Sequence, residues 1–212
     1  MEIHDVPDSR QTGSTGLEFW FDFASTYSYP TALRIEKLAK ACDVTIIWRA
    51  FLLGPIFQSQ GWSDSPFNIY PSKGRYMWRD LQRVCNEHRL EFHRPSRFPR
   101  NSVLAARIVC AFESTPWIAD FIRHVFSANF VLDLDISDPD VLSDCLRLLG
   151  QDPEAVIATA TGPSAKSKLR ISTSNAQKIG IFGAPSFVIG HEMYWGNEHL
   201  EKAIERARQT SP

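Results

Sequence analysis

Cysteine is scarce in this sequence, and its spacing excludes several classes of protein. The chain has four cysteines in 212 residues, and no two of them form a C-x-x-C pair. Each stands among apolar residues at helical spacing, so we expect buried reduced thiols rather than a disulfide framework or a zinc site. The four are Cys42, Cys85, Cys110 and Cys145.

An excess of charge of either sign is also lacking. The chain carries 23 Lys and Arg against 24 Asp and Glu, which leaves a net charge of −1 and a pI near 6.6. No global field therefore selects nucleic acid or an anionic membrane as a partner. No apolar run approaches the roughly 18 residues that a membrane-spanning helix needs.

Targeting and cofactor signatures are missing as well. Residues 1–16 lack the apolar core of a signal peptide, so they predict a flexible N-terminal tail on a cytoplasmic protein. The six histidines have no ligand spacing, and the sequence has no nucleophile elbow, phosphate-binding loop or dinucleotide fingerprint. Neither a metal nor a nucleotide cofactor is expected.

The sequence does contain a clear pattern of strands and helices. Hydrophobic residues make up 43% of the chain, enough for the core of one large domain. "LEFWFDF" (residues 17–23) alternates apolar side chains as a buried strand does, and "VTIIWRAF" (residues 44–51) is β-branched and aromatic. The intervening helix has Pro30 in its first turn, which completes a βαβ unit with parallel strands.

The rest of the chain is mainly helical and then returns to strands. Residues 54–74 are rich in Gly, Pro and Ser and predict a long loop, whereas helical spacing runs from Tyr76 to about residue 180. Residues 186–196 predict two short strands around a tight turn. A closing helix follows, with Asn197 as its expected N-cap.

This order predicts an α/β protein in which a thioredoxin-like fold is interrupted by a large all-helical insertion. The thioredoxin-like domain is expected to span residues 17–53 and 170–212, and the insertion residues 54–169. Phe57 and Trp78 are expected in the core of the insertion, and the arginines between residues 94 and 100 in a solvated turn.

Four consecutive hydroxyl residues, Ser25 to Ser28, follow the first strand. A serine between a strand and a helix lies at the helix N-terminus, where free backbone N–H groups attract negative charge. Ser25 can act there as a plain cap, or it can hold an anion that takes part in chemistry. The local pattern alone leaves both interpretations open.

Four motifs, in order, resemble one family. "FDFASTYSYP" (21–30) is similar to F-x-D-x-x-S-P-[YF]-S, and "YPSKGRYMWRDLQR" (70–83) to P-x-K-x-x-Y-x-x-x-D. "GIFGAPSFVIG" (180–190) resembles G-x-x-G-x-P-[ST]-F, and "YWGNEHL" (194–200) resembles [FW]-G-[NS]-D-R-L. Over residues 17–208, the chain thus resembles the 2-hydroxychromene-2-carboxylate isomerases and the kappa-class glutathione transferases, within the DsbA-like group.

This resemblance implies glutathione as the cofactor. Ser25 stands where redox relatives have the first cysteine of C-x-x-C and Ser28 where they have the second, so dithiol–disulfide exchange by the chain itself is excluded. The implied role of Ser25 is catalytic. Its hydroxyl would donate to the glutathione sulfur, and the helix N-terminus would add partial positive charge that favours the thiolate.

The resemblance also implies where the rest of glutathione binds. Ala184, ahead of a cis Pro185, would hold the cysteinyl part through its main-chain N–H and C=O. Asn197 and Glu198 would seat the γ-glutamyl group, although both residues can equally serve as helix caps. The family usually has Asp and Arg where this chain has Glu198 and His199, which alters the detailed geometry at that end.

The long loop is the expected source of the remaining contacts. Lys73, placed in that loop before the first insert helix, would reach the glycyl carboxylate or an acidic substrate, and Asn68 would add a hydrogen bond. Trp62, Phe67 and Tyr76 are candidates for the wall of an aromatic acceptor pocket. For Lys73 and Asn68 the alternative is an ordinary solvated position.

The leading interpretation is a glutathione-dependent isomerase of the hydroxychromene-carboxylate type. The thiolate would add reversibly to an unsaturated, aromatic-derived acid, so the expected partner is a small molecule. A kappa-like transferase, which keeps the sulfur on the acceptor, is one alternative. A non-catalytic thioredoxin-fold module that binds an extended peptide is another. The resemblance further implies a homodimer.

Overall fold

A computed structural model describes residues 16–210. The predicted flexible tail, residues 1–16, lies outside this range except for Gly16, so the prediction for it stays untested. Within the described range the elements follow the expected order of strand, helix, strand, many helices, two strands and a closing helix.

The sheet has four strands in the order β2-β1-β3-β4. Strands β1 and β2 are parallel, as expected for a βαβ unit, while β3 runs antiparallel to β1 and forms a hairpin with β4. The predicted tight turn of this hairpin is present, and Gly190 adopts a φ of +58° there. The strands are β1 (Leu17–Phe21), β2 (Ile46–Ala50), β3 (Ser186–Ile189) and β4 (Glu192–Trp195).

Aromatic rings from neighbouring strands fill one face of the sheet. Phe19 pairs in register with Trp48 on β2 and with Phe187 on β3, and the ring centroids lie 5.4 and 5.7 Å from that of Phe19. All three side chains are buried. This packing fixes the end of β1, from which the Ser25 turn begins.

Ten helices are described within residues 16–210. Several begin at a proline, which suits the first helical position because its missing N–H would have no partner there. The helices are α1 (Ser28–Ala41), α2 (Leu53–Ser59), α3 (Pro66–Ile69), α4 (Pro71–Glu87), α5 (Val103–Ala111), α6 (Ile118–Phe130), α7 (Pro139–Arg147), α8 (Pro153–Thr161), α9 (Pro163–Lys178) and α10 (Leu200–Thr210); a short 3-10 turn, Asn197–His199, precedes α10.

The prediction of one long loop over residues 54–74 was wrong. Most of this stretch belongs to α2, α3 and the first turn of α4. The proline and serine residues that suggested a loop instead start helices: Ser65 accepts a hydrogen bond from the N–H of Phe67, and Pro66 follows as the first residue of α3.

Helix α9 connects the helical region to the sheet. The predicted domain boundary after residue 169 falls inside this helix, which runs from Pro163 to Lys178. Its Ser172 hydroxyl donates to the carbonyl of Ala50 at the end of β2, at 2.7 Å, and Thr173 accepts from the N–H of Leu52. The helices and the sheet are therefore joined by side-chain contacts as well as by the chain.

The four cysteines are free thiols, as predicted. Cys85, Cys110 and Cys145 are buried, and burial raises the pKa of these thiols to about 12, 12 and 11 respectively. Cys42 departs from the prediction because it ends α1 and remains partly exposed. No pair among the four is bonded.

Candidate active site

A cleft of about 1240 Å³ opens at the end of β1. One side, here called the sheet wall, is formed from residues 22–27, 182–184 and 195–198. The remaining lining residues, here called the helical wall, come from residues 52–84 and 98–103. The sheet wall holds most of the predicted thiol-binding residues, and the helical wall holds the predicted acceptor-binding residues.

Ser25 lies in the sheet wall and is only 7% exposed. Its hydroxyl donates to the carbonyl oxygen of Ala184 at 2.9 Å and accepts a hydrogen bond from the N–H of Ser28 at 3.3 Å. The residue directly before α1 is Tyr27, whose side chain makes no capping bond. Ser25 thus serves the helix N-terminus and faces the cleft at the same time.

The loop before β3 presents main-chain groups to the same place. The peptide bond between Ala184 and Pro185 is cis, as the resemblance implied. The N–H of Ala184 has no hydrogen-bond partner within residues 16–210, although Ala184 lines the cleft. Pro185 itself does not line the cleft; its carbonyl accepts from the N–H of Gly196 at 3.0 Å and ties the loop to the end of β4.

The expected capping role of Asn197 was wrong. Its side-chain Oδ1 does not cap α10 but accepts hydrogen bonds from Thr31 at 3.0 Å and Arg34 at 3.3 Å, both on α1. Asn197 and the exposed side chain of Glu198 both line the cleft. His199 lies outside the lining, with its Nδ1 3.9 Å from a carboxylate oxygen of Glu198.

The positions of Lys73 and Asn68 correct the prediction. Lys73 lies in the first turn of α4 rather than in a loop; it lines the cleft, with its Nζ 4.6 Å from the ring centroid of Tyr70. The structure does not bring Asn68 to the cleft. Its side-chain amide donates to Asp64 at 3.1 Å and to the carbonyl of Phe98 at 3.2 Å, and so ties α3 to the neighbouring segment.

Aromatic side chains cover the helical wall. Trp62, Phe67 and Tyr76 all line the cleft as predicted, and Tyr76 is 62% exposed. Phe57 was predicted to lie in the core, but it also lines the cleft and packs against Trp62 with ring centroids 5.6 Å apart. The end of the short helix α2 carries Phe57 past the core, which the helical spacing did not indicate.

Asp22, at the base of the cleft, was missed by sequence reasoning. It is 4% exposed, and its carboxylate accepts hydrogen bonds from the N–H of Ala24 at 2.9 Å, the N–H of Leu53 at 2.8 Å and the hydroxyl of Ser102 at 2.6 Å. Burial raises its pKa, against the opposing effect of these donors. Asp22 therefore joins the Ser25 turn to the starts of α2 and α5.

Tyr27 and Asp80 connect the two walls. The Tyr27 hydroxyl donates to the Asp80 carboxylate at 2.8 Å. Burial, followed by the hydrogen bond to Asp80, raises the pKa of Tyr27, so the phenol stays protonated and keeps donating. Both residues stand within the quoted motifs, but no local pattern showed that they meet.

The cleft contains more carboxylates than available cations. Asp22, Asp64, Asp80 and Glu198 line it, against Lys73 and Arg100. The solvated turn predicted for the arginines is wrong for Arg100, which is buried and donates to the carbonyl of Asn129 at 3.1 Å and to that of Asp133 at 3.0 Å.

Lys73 has no acidic partner within the described part of the chain, so it is the cation of the cleft that remains available to a ligand. Trp78, by contrast, lies where it was predicted: it packs against the core, with the guanidinium of Arg94 5.0 Å from its ring centroid.

Comparison with known proteins identifies the family. A model of the DSBA-like thioredoxin domain matches residues 16–206. The chain belongs to this family. The thioredoxin-like fold with a helical insertion, and the resemblance stated from the four motifs, are thereby confirmed.

Two curated relatives of this DSBA-like chain have described activities. A 2-hydroxychromene-2-carboxylate isomerase from Sphingobium xenophagum is 23% identical over 186 residues, covering 87% of this chain and 94% of the relative. Human glutathione S-transferase kappa 1 is 22% identical over 200 residues, covering 87% of both chains. The chain is an enzyme of this isomerase and glutathione transferase group.

A solved structure also supports the similarity to the isomerases. The structure of a 2-hydroxychromene-2-carboxylate isomerase superposes on this DSBA-like chain with a TM-score of 0.79 at 26% sequence identity, and the match covers 91% of this chain and 96% of the other. The similarity therefore extends through both the sheet and the helical region.

Proposed function

We propose that the protein is a glutathione-dependent isomerase of the 2-hydroxychromene-2-carboxylate isomerase type, in which Ser25 stabilises the glutathione thiolate. One observation carries the proposal: the Ser25 hydroxyl lies in the wall of the cleft, 2.9 Å from the carbonyl of Ala184, beside an Ala184 N–H without a partner in residues 16–210. A hydroxyl and a free main-chain N–H thus lie together where a peptide thiol would bind.

The chemistry of these groups fits glutathione. A free thiol has a pKa above neutrality, so an enzyme that uses it must favour the thiolate. A hydroxyl donor and the partial positive charge of the α1 N-terminus together supply about 1–3 kcal/mol, or one to two pKa units. When bound, glutathione supplies the nucleophilic sulfur, whose reversible addition to an unsaturated carbon permits rotation about the weakened bond.

The other glutathione-binding residues are assigned their roles from the polar groups that they carry. Ala184 offers one donor and one acceptor to the cysteinyl main chain, in the manner of an added strand. Asn197 and Glu198 offer an amide and a carboxylate to the γ-glutamyl group. Lys73 faces the cleft without an acidic partner in the described residues, so it binds either the glycyl carboxylate or the carboxylate of the substrate.

The helical wall provides the acceptor pocket. Trp62, Phe67 and Tyr76, together with Phe57, present aromatic surface to the cleft that Ser25 also lines. Apolar walls with few polar groups are typical of pockets for small aromatic molecules. We therefore assign this wall to an unsaturated, aromatic-derived acid, whose carboxylate is one of the two candidate partners of Lys73.

A kappa-like glutathione transferase is the second candidate, and the similarity to the human kappa enzyme favours it. It would use the same thiolate site and would leave the sulfur bonded to the acceptor. Product analysis separates the two: an isomerase returns free glutathione in full, whereas a transferase consumes one glutathione for each acceptor.

The test of the proposal is a calorimetric titration with glutathione, followed at the same time by thiolate absorbance, on the wild type and on Ser25→Ala. The wild type is expected to bind and to lower the thiol pKa by about one unit or more, and Ser25→Ala to bind with a clearly smaller shift, because only the α1 N-terminus then favours the thiolate. Ser28→Ala is the matched control, because the buried Ser28 hydroxyl has no partner in the described residues.

Two outcomes would contradict the proposal. Retention of the full pKa shift by Ser25→Ala would remove Ser25 from the chemistry. Absence of glutathione binding by the wild type would leave a thioredoxin-fold module that binds an extended peptide at the Ala184 loop.

Location and assembly complete the proposal. No helix within residues 16–210 has both the length and the apolar character to cross a bilayer. We place the enzyme in the cytoplasm and expect it to act as a homodimer; sedimentation velocity at micromolar concentration checks the second point.

A further inference from the structure

Only one of the two polar atoms in the side-chain amide of Asn197 has hydrogen-bond partners in the described residues. Its Oδ1 accepts hydrogen bonds from the hydroxyl of Thr31 at 3.0 Å and from the guanidinium of Arg34 at 3.3 Å. Its Nδ2 has no hydrogen-bond partner within residues 16–210, although Asn197 is only 6% exposed and lines the cleft. Because the two polar atoms of an amide point in different directions, holding Oδ1 on α1 leaves Nδ2 free to meet a ligand.

Thr31 by itself cannot fix this orientation. Its hydroxyl lies 3.0 Å from the carbonyl of Tyr27 as well as 3.0 Å from Asn197, and a hydroxyl has one proton for these two acceptors. If the proton went to Tyr27, the Thr31 oxygen could accept a hydrogen bond from Asn197 with its amide turned around. The turned amide would direct its oxygen toward the cleft.

Arg34 decides between the two orientations. A guanidinium is always charged and only donates, so the Asn197 atom that faces it must be the oxygen. Arg34 is itself well held, since its side chain is 12% exposed and its second terminal nitrogen pairs with Glu201 on α10. The orientation of the amide is therefore imposed by a fixed cation on α1.

We propose that Arg34 is a positioning residue that makes the cleft selective for thiols carrying a free α-amino acid group, as the γ-glutamyl end of glutathione does. The inference rests on the proposed function. With the amide fixed, Asn197 offers a donor, and the adjacent Glu198 offers an acceptor. A donor and an anionic acceptor side by side match the carboxylate and the ammonium of one amino acid group.

The experiment measures affinity by calorimetry for two thiols: glutathione and N-acetylcysteinylglycine, which keeps the cysteinyl N–H but lacks the amino acid group. The wild type is expected to bind glutathione about tenfold or more tightly than the second thiol. Arg34→Met is expected to reduce this ratio to about threefold or less, by weakening glutathione alone. Arg34→Lys, which also only donates, is expected to restore most of the ratio.

Two further variants isolate the role of the amide. Arg208→Met makes the same chemical change on α10, where Arg208 pairs with Glu205 outside the cleft, and leaves the ratio unchanged. In an Asn197→Ala background no amide remains to be oriented, so adding Arg34→Met produces no further loss of selectivity.

The inference is overturned if Arg34→Met keeps the full ratio, or if it weakens both thiols equally, as a purely structural defect would. It is also overturned if Arg34→Met lowers the ratio further in the Asn197→Ala background. A wild type that binds glutathione without preferring it over N-acetylcysteinylglycine defeats this inference and leaves the proposed function standing. A wild type that binds neither thiol defeats both.

Discussion

The two walls of the cleft are held in different ways. On the sheet wall, Ser25, Asp22 and Asn197 are buried, and each makes hydrogen bonds to residues far away in the sequence. On the helical wall, Asp64 contacts its neighbour Ser65, and Lys73 lies over Tyr70. The sheet wall is thus fixed by contacts across the whole fold, whereas the part of the helical wall around Asp64 and Lys73 depends on local contacts. We expect that a firmly held thiol site beside a more locally held acceptor site allows the acceptor to vary between related enzymes.

The largest expected effect comes from removing the buried carboxylate of Asp22 from the sheet wall. Asp22→Ala leaves two backbone N–H groups and the Ser102 hydroxyl without their acceptor. Since each unsatisfied buried group costs about 1–3 kcal/mol, we expect the free energy of unfolding to fall by about 3–5 kcal/mol. Urea denaturation followed by circular dichroism measures it.

Asp64→Ala is the matched change on the helical wall. Asp64 is exposed, and its partners are the neighbouring Ser65 and Asn68, so the expected loss is below about 1 kcal/mol. Equal losses for Asp22→Ala and Asp64→Ala would show that the two walls do not differ in this way.

The next largest effect is expected from a substitution in the helical wall alone. A Cβ added at Gly74 would lie 2.3 Å from the carbonyl oxygen of Phe67, where α3 and α4 touch. Gly74→Ala is therefore expected to lower the free energy of unfolding by about 1–3 kcal/mol and to weaken acceptor binding. Glutathione affinity, measured by calorimetry, should change less than acceptor affinity because Ser25, Ala184 and Asn197 all lie on the untouched sheet wall.

Gly54→Ala serves as the control for the glycine substitution. A Cβ at Gly54, in α2 of the same wall, meets nothing within 4 Å, so alanine is expected to be neutral or to stabilise by up to about 1 kcal/mol. Destabilisation by Gly54→Ala as large as that by Gly74→Ala would rule out the close approach to Phe67 as the cause.

The smallest expected effect is on the binding of the acceptor and not on that of the thiol. Trp62→Ala removes one aromatic ring from the helical wall and exposes its neighbour Phe57. The KM for 2-hydroxychromene-2-carboxylate is expected to rise about 3–10-fold, because roughly 1 kcal/mol of apolar contact is lost. Glutathione affinity measured on the same sample is the internal control, and an equal loss of both would contradict the division of roles.

Local sequence patterns predicted much of the fold. The alternation in residues 17–23, the β-branched run in residues 44–51 and the glycine turn in residues 186–196 each correspond to strands in the structure. These signals are strong because strand periodicity and turn chemistry act over a few residues. The four motifs added the resemblance to the family, which the comparison with known proteins confirms.

The failures involve contacts between distant residues or an ambiguous local signal. Asn197 was expected to cap a helix, but its partner Thr31 lies 166 positions away in sequence. Arg100 was expected in solvent, but it is surrounded by Asn129 and Asp133. Lys73 was misplaced because a proline before a serine suits a loop and a helix start alike. A single sequence carries no direct sign of such tertiary partners.

The hydrogen bond between Ser25 and the Ala184 carbonyl has a consequence for the proposed activation of a thiol, which would depend on the groups that the ligand brings to Ala184. A hydroxyl has one proton, and here that proton already has an acceptor 2.9 Å away. Under the proposed function, a thiol whose main chain brings its own N–H to Ala184 offers that carbonyl a second donor, and we expect the Ser25 proton then to turn to the sulfur. A simple thiol such as 2-mercaptoethanol brings no such group and finds the proton engaged. The proposed site would thus couple recognition of a peptide main chain to activation of its thiol, and we expect simple thiols to react more slowly in the same cleft.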